Sequence, residues 1–220
     1  SGVFLSQADG TFVFSPLPQE AQIGPLQGVV VQDFDEDGFE DIYAVQNSFA
    51  PVPVVGRYDG GLGVVLYGGV DGSFRGNAYV DSTLHISGDA KAVVTTDLDS
   101  DGYVDVVGTR NNGQTFAVLN QFNDGKLSPT PKERVVVVAL QGSGANPSGV
   151  GSRVTLALAS GVELVREVSA GSGYFSQSSA RAGFAWEQET KPEKLTVRWP
   201  DGEVTEQVVD PAVTLISISR

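Results

Sequence analysis

The chemistry of this chain is concentrated in two groups of four aspartates. Asp33, Asp35, Asp37 and Asp41 lie in the stretch Asp33-Phe34-Asp35-Glu36-Asp37-Gly38-Phe39-Glu40-Asp41. Asp97, Asp99, Asp101 and Asp105 lie 64 residues later in Asp97-Leu98-Asp99-Ser100-Asp101-Gly102-Tyr103-Val104-Asp105. Both stretches fit D-x-D-x-D-G-[aromatic]-x-D. Carboxylates this close together repel one another strongly unless a cation lies between them. Calcium is the natural candidate, since it is hard, takes six to eight oxygens and favours carboxylates and backbone carbonyls. Magnesium fits less well, because it keeps its waters and is seldom held by an all-protein cage. Gly38 and Gly102 permit the tight turn that wraps a chain around an ion. Acidic surface turns of the Asp-Gly type are the plainer alternative. Recurrence of the same four aspartates and the same glycine favours metal binding.

The spacing is not that of a helix-loop-helix calcium site, whose twelfth position is a bidentate Glu; here that position is Ala44 or Gly108. The elements that must position the loops are strands. Gly28-Val29-Val30-Val31 precedes the first loop and Ile42-Tyr43-Ala44-Val45 follows it. Ala92-Val93-Val94-Thr95-Thr96 and Val106-Val107-Gly108-Thr109 flank the second. These β-branched runs predict strand-loop-strand units.

A second repeated element accompanies the first. Val3-Phe4-Leu5-Ser6-Gln7-Ala8-Asp9-Gly10-Thr11-Phe12 is similar to 64–74, and 117–127 is a weaker third copy. Each reads as an apolar strand, an Asp-Gly turn and a returning strand. The order is hairpin, acidic loop, hairpin, acidic loop, hairpin. A period near 60 residues with several strands per unit points to a radial β-repeat. Residues 49–62, with Pro51, Pro53 and several glycines, lengthen the first unit as a rim loop that is a candidate for contacting a partner.

These units resemble FG-GAP (VCBS-type) repeats, the blades of integrin-type β-propellers, over roughly residues 1–130. The resemblance implies calcium at both loops. In the first loop the implied ligands are Asp33, Asp35, Asp37, Asp41 and the carbonyl of Phe39. In the second they are Asp97, Asp99, Asp101, Asp105 and the carbonyl of Tyr103. It also implies a partial propeller of about two blades, whose exposed edges the remaining blades of a parent chain would cover.

Composition sets the frame. Among 220 residues are 27 Gly and 11 Pro, with much Val and almost no helical periodicity, which predicts an all-β protein. The net charge is −13. Residues 1–132 hold 17 acidic and 6 basic residues, and 133–220 hold 10 and 8, so the acidity sits with the loops. No basic stripe exists to neutralise phosphates, which argues against a nucleic-acid partner. There is no Cys, so disulfides, thiolate metal sites and a Cys nucleophile are excluded. No apolar run is long enough to span a membrane. The chain has no Met and opens in what reads as a strand, so it is expected to be part of a longer protein.

Ser128-Pro129-Thr130-Pro131-Lys132 marks a boundary between domains 1–132 and 133–220. Beyond it, strands are expected at 134–140, 153–159, 164–169, 194–199 and 212–219. Turns are expected at Asn146-Pro147-Ser148-Gly149, Ser160-Gly161 and Asp201-Gly202. A small β-sandwich or open barrel fits. This part resembles the ASPIC/UnbV domain, which follows FG-GAP repeats in bacterial proteins and in cartilage acidic protein. The resemblance rests on Gly149-Val150-Gly151-Ser152-Arg153-Val154, Arg166-Glu167-Val168, Gly171-Ser172-Gly173-Tyr174-Phe175-Ser176-Gln177 and Val197-Arg198-Trp199-Pro200-Asp201-Gly202. Where that family carries a His-Phe-Gly-Leu-Gly segment, this chain reads Arg181-Ala182-Gly183-Phe184-Ala185, so any role of that His is lost.

Nothing points to catalysis. Gly171-Ser172-Gly173-Tyr174 lacks the nucleophile-elbow pattern. The one imidazole, His85, reads as a sheet-surface residue. Trp186 and Trp199 read as core or interface anchors. The expectation is a non-catalytic, calcium-stabilised adhesion-like module that is secreted, on the cell surface or periplasmic, with a protein or carbohydrate partner. The alternative is a carbohydrate-binding or polysaccharide-processing accessory region of a larger secreted enzyme. Exposed aromatics at Tyr58, Tyr67, Tyr79, Trp186 or Trp199 would favour that alternative.

Overall fold

The computed structural model describes residues 1–7, 9–35, 39–54, 56–76, 84–99, 104–120, 135–171, 173–186 and 190–220. Every regular element among them is a β-strand, apart from one 3₁₀ turn at Gln19–Gln22. Among the described residues no helix is long and apolar enough to cross a membrane. The described residues form two compact units, one of 1–120 with 173–177 and one of 135–171 with 178–220.

The first unit runs β1 (Gly2–Ser6), β2 (Phe12–Pro16), β3 (Leu26–Gln32), β4 (Asp41–Gln46), β5 (Ser48–Val52), β6 (Gly56–Tyr58), β7 (Val64–Gly68), β8 (Phe74–Gly76), β9 (Ala90–Thr96), β10 (Asp105–Arg110) and β11 (Phe116–Val118). They pair as a hairpin β1-β2, a four-stranded sheet β3-β4-β7-β8, a ribbon β5-β6 and a three-stranded sheet β9-β10-β11. All of these pairings are antiparallel. Residues 49–62, read as a rim loop, therefore contain the β5-β6 ribbon, on which the Arg57 guanidinium lies 4.2 Å over the Phe49 ring.

The two larger sheets repeat each other in register. Gln32 pairs with Asp41 and Val30 with Tyr43; Thr96 pairs with Asp105 and Val94 with Val107. The next strand follows the same rule, since Ile42 faces Leu66 and Val106 faces Val118. The acidic stretches connect β3 to β4 and β9 to β10, so both loops leave and re-enter their sheets at equivalent positions.

Packing explains why β4 reads as an unbroken apolar run rather than an alternating one. Successive side chains point to opposite faces, and here both faces are covered. Tyr43 and Val45 join Val65, Val93, Val106 and Phe116 in a core shared with the β9-β10-β11 sheet. Ile42 and Ala44 join Leu66, Leu17 and Ala21 in a second core, against which Val3 of β1 packs. Sheets stack face to face here: hairpin β1-β2, then β3-β4-β7-β8, then β9-β10-β11. Gly28 is required at the last contact, where a Cβ would meet the Lys91 carbonyl at 2.7 Å.

The second unit contains β12 (Val135–Gln141), β13 (Arg153–Leu158), β14 (Glu163–Glu167), β15 (Arg181–Ala185), β16 (Pro192–Arg198), β17 (Val204–Val208) and β18 (Leu215–Ser219). Two sheets form, ordered β15-β12-β18 and β14-β13-β16-β17. One core joins Val136, Val138, Phe184 and Ile216 of the first sheet to Val154, Leu156, Leu195 and Val197 of the second. Trp186 and Trp199 are buried in the same core. The architecture is sandwich-like. Strands β15 and β17 were not anticipated from the sequence, and neither was the parallel pairing of β12 with β18.

Candidate metal centre

Each acidic loop is organised around its last aspartate. Asp41, the first residue of β4, is fully buried, and its carboxylate accepts two backbone hydrogen bonds. Phe34 N donates to Oδ2 at 2.7 Å and Gly68 N donates to Oδ1 at 2.8 Å. Asp105, the first residue of β10, is equally buried. Leu98 N donates to its Oδ2 at 2.6 Å and Asn120 N to its Oδ1 at 2.8 Å. The donors correspond one for one, with the second residue of the loop on one side and the end of the third strand on the other. Each clamp thus fastens its loop to the sheet that carries it.

The remaining described carboxylates gather around this anchor. Asp33, Asp35 and Asp41 place one oxygen each within 4.8 Å of one another, and so do Asp97, Asp99 and Asp105. Asp33 is buried, whereas Asp97 and Asp99 are exposed, so the first cluster is the more enclosed. Burial pushes the Asp41 carboxyl up to about 7, against the lowering effect of the Gly68 and Phe34 bonds and aided by the charges of Asp35 and Asp33. Asp105 moves the same way, chiefly through burial, with Asp99 and Asp97 adding repulsion. Burial is the main cause at both aspartates, and the neighbouring carboxylates add to it.

The donor set consists of hard carboxylate oxygens, with no imidazole or thiolate, and that chemistry fits a hard cation such as calcium. Asp37, Asp101 and Tyr103 lie outside the described residues. The Phe39 side chain is 39% exposed. Two further contributors were not anticipated from the sequence, Gly68 and Asn120, both acting through backbone N–H groups. In the sequence, counting back three residues from Asp71-Gly72 and from Asp124-Gly125 would set Gln121, not Asn120, against Gly68; residues 121–127 of the third copy lie outside the described residues. Strand register makes the correct match. Gly68 must be glycine, since a Cβ there would meet the Glu40 carbonyl at 2.3 Å.

The other candidates fall as follows. His85 lies half-buried in a stretch without regular strand, between buried Leu84 and Ile86. Ser172 and Tyr79 lie outside the described residues. Tyr67, Trp186 and Trp199 are buried, and Tyr58 is 38% exposed. In the second unit a pocket of about 210 Å³ is lined by Trp199, Asn146 and the Arg220–Asp201 ion pair, among others.

Comparison with known families matches residues 142–219 to the family described as ASPIC and UnbV. A search of curated proteins finds no match. The matched stretch supports the ASPIC/UnbV resemblance of the C-terminal part, and most of it lies in the sandwich-like unit.

Proposed function

We propose that this chain is a non-catalytic interaction module in which two calcium ions stabilise FG-GAP-type blades set ahead of an ASPIC/UnbV domain. The observation that carries the reading is the repetition of one construction: three clustered carboxylates, the last of them buried and clamped by two backbone N–H groups, at the same register in two stacked sheets. Asp33, Asp35 and Asp41 would hold one ion, and Asp97, Asp99 and Asp105 the other. The resemblance adds Asp37, Asp101 and the carbonyls of Phe39 and Tyr103. When bound, the ion supplies charge compensation and a cross-link between loop and sheet. Because an unfolded chain cannot gather these ligands, ion binding adds to folding free energy. Extracellular modules of this kind bind at roughly 10⁻⁴ to 10⁻³ M, which suits an extracellular, cell-surface or periplasmic setting. The partner is a protein or carbohydrate, together with the remaining blades of a parent chain.

Of the aromatics that would favour the carbohydrate-processing alternative, Tyr67, Trp186 and Trp199 are buried, Tyr58 is 38% exposed and Tyr79 lies outside the described residues. Thermal melts in EDTA and in millimolar calcium, run beside Asp35→Ala and Asp99→Ala, test the reading. A calcium-dependent rise that each variant reduces is the expected outcome. No shift for the unaltered chain would mean that the loops are empty acidic turns, and the proposal would be withdrawn.

A further inference from the structure

The two acidic loops are joined by an unbroken line of hydrogen bonds. Asn120 N donates to Asp105 Oδ1 at 2.8 Å, which belongs to the second cluster. Its side-chain Nδ2 turns the other way and donates to the Phe34 carbonyl in the first loop at 3.0 Å. Phe34 N in turn donates to Asp41 Oδ2 at 2.7 Å, in the first cluster. Asn120, Phe34, Asp41 and Asp105 are all at least 95% buried, so no water competes for these bonds. The link runs one way. The equivalent of Asn120 in the first sheet is Gly68, which has no side chain and no room for one.

We infer that Asn120 is a positioning residue that makes cation binding at the two loops mutually dependent. The inference rests on the calcium reading above. An ion at the second loop fixes Asp105, and through it the backbone of Asn120. Its amide then holds the Phe34 carbonyl, so the N–H that clamps Asp41 is already in place when an ion reaches the first loop. Part of the ordering cost of the first site is thereby met by the second, which is positive coupling through shared order. Linkage requires the effect to be reciprocal. A side chain that merely filled space between the sheets would give no such dependence, and direct repulsion between two cations would give the opposite sign.

The test is a calorimetric calcium titration of the whole chain, with Asp99→Ala isolating the first site and Asp35→Ala isolating the second. Each is repeated with Asn120→Gly, which installs the residue that the first sheet already carries. Asn120→Ser, the residue at the corresponding place in β1, serves if the glycine variant does not fold. With Asn120 present, losing one site is expected to weaken the other by roughly five-fold or more. With Asn120 replaced, the same loss should leave the other affinity unchanged. Equal dependence with and without the Asn120 side chain overturns the inference, as do independent sites or mutually weakening ones in the unaltered chain. If the unaltered chain binds no calcium, the functional reading falls first and this inference falls with it; two independent sites would sink the inference alone.

Discussion

Asp41 and Asp105 serve both as strand-opening residues and as the floor of an acidic loop, and the two roles pull against each other. Two backbone N–H donors stabilise the charged carboxylate, while burial and neighbouring aspartates oppose it. Tyr43, two residues into β4, supports the same floor, since its ring packs against Phe34 with centroids 6.0 Å apart. Its hydroxyl is buried and meets no hydrogen-bond partner among the described residues. A buried, unpaired hydroxyl costs about 1–3 kcal/mol, so Tyr43→Phe should leave stability unchanged or raise it by about 1 kcal/mol. Denaturant unfolding of the variant measures this, and a loss beyond about 1 kcal/mol would mean that the hydroxyl has a partner. The carboxylates of this site were legible in the sequence because D-x-D-x-D-G-x-x-D writes its chemistry in side chains. The clamp was not, because Gly68 and Asn120 contribute main-chain N–H groups, and sequence does not show which main-chain groups meet. Which strand end faces Asp41 is decided by register across a connection that differs in length between the two repeats.

At the scale of elements, β4 and β7 were readable because both are buried on both faces and so consist of apolar runs. Strand β17 was hidden for the opposite reason. It pairs with β16 alone, most of its residues are exposed, and Thr205-Glu206-Gln207 carries no apolar signal. Gly183 and the small residues of β15 obscured that strand in the same way. Register between the stacked sheets of the first unit is fixed partly by a buried polar group where β4 ends. Asn47, at a positive φ of 95°, bonds the Gly61 and Gly88 carbonyls. Lys91 Nζ reaches the Asn47 carbonyl at 2.8 Å and pairs with Asp89 at 2.7 Å, and Asp89 also accepts from Asn111. Burial pushes the Asp89 carboxyl up, but the bond and charge of Lys91 and the Asn111 amide outweigh it and hold it below its ordinary value of 3.8. A carboxylate depressed in the folded state contributes stability above its unfolded pKa and loses it as pH falls through the folded one. Asp89→Asn should therefore lower stability at neutral pH and flatten the decline below pH 3.8. Chemical denaturation across that range reads both effects. An unchanged acid limb would mean that Asp89 is not what the acid protonates.

At the scale of the whole molecule, hairpin β1-β2 corresponds to hairpin β7-β8 at the edge of the four-stranded sheet. The turns correspond bond for bond. Gln7 N donates to Thr11 O and Gly10 N to Gln7 O, as Gly69 N does to Ser73 O and Gly72 N to Gly69 O. Thr11 N donates to Asp9 Oδ1 just as Ser73 N does to Asp71 Oδ1. Phe4 therefore occupies the place of Leu66, and Phe12 that of Phe74. Leu66 is fully buried in the core that Val3 helps to close, whereas Phe4 is 70% and Phe12 68% exposed. Phe14 lies beside Phe4 at 5.4 Å and is itself exposed, so three aromatics share one open face. Contiguous apolar faces on soluble proteins mark contact sites, and the repeat indicates what this one is built to meet. The proposed occupant is a further antiparallel sheet of the same kind, presenting residues like Val3 and Leu5, as β1-β2 does to the next sheet. One repeat position then has two energetic values depending on whether it is covered. Leu66→Ala should cost about 2–5 kcal/mol, as a filled core position does. Phe4→Ala should stay within about 0.5 kcal/mol, because its face is open. Urea unfolding of both variants decides it. A core-like cost for Phe4→Ala in the present chain would mean that its face is already covered, and the blade-by-blade reading of the N-terminal unit would fail there.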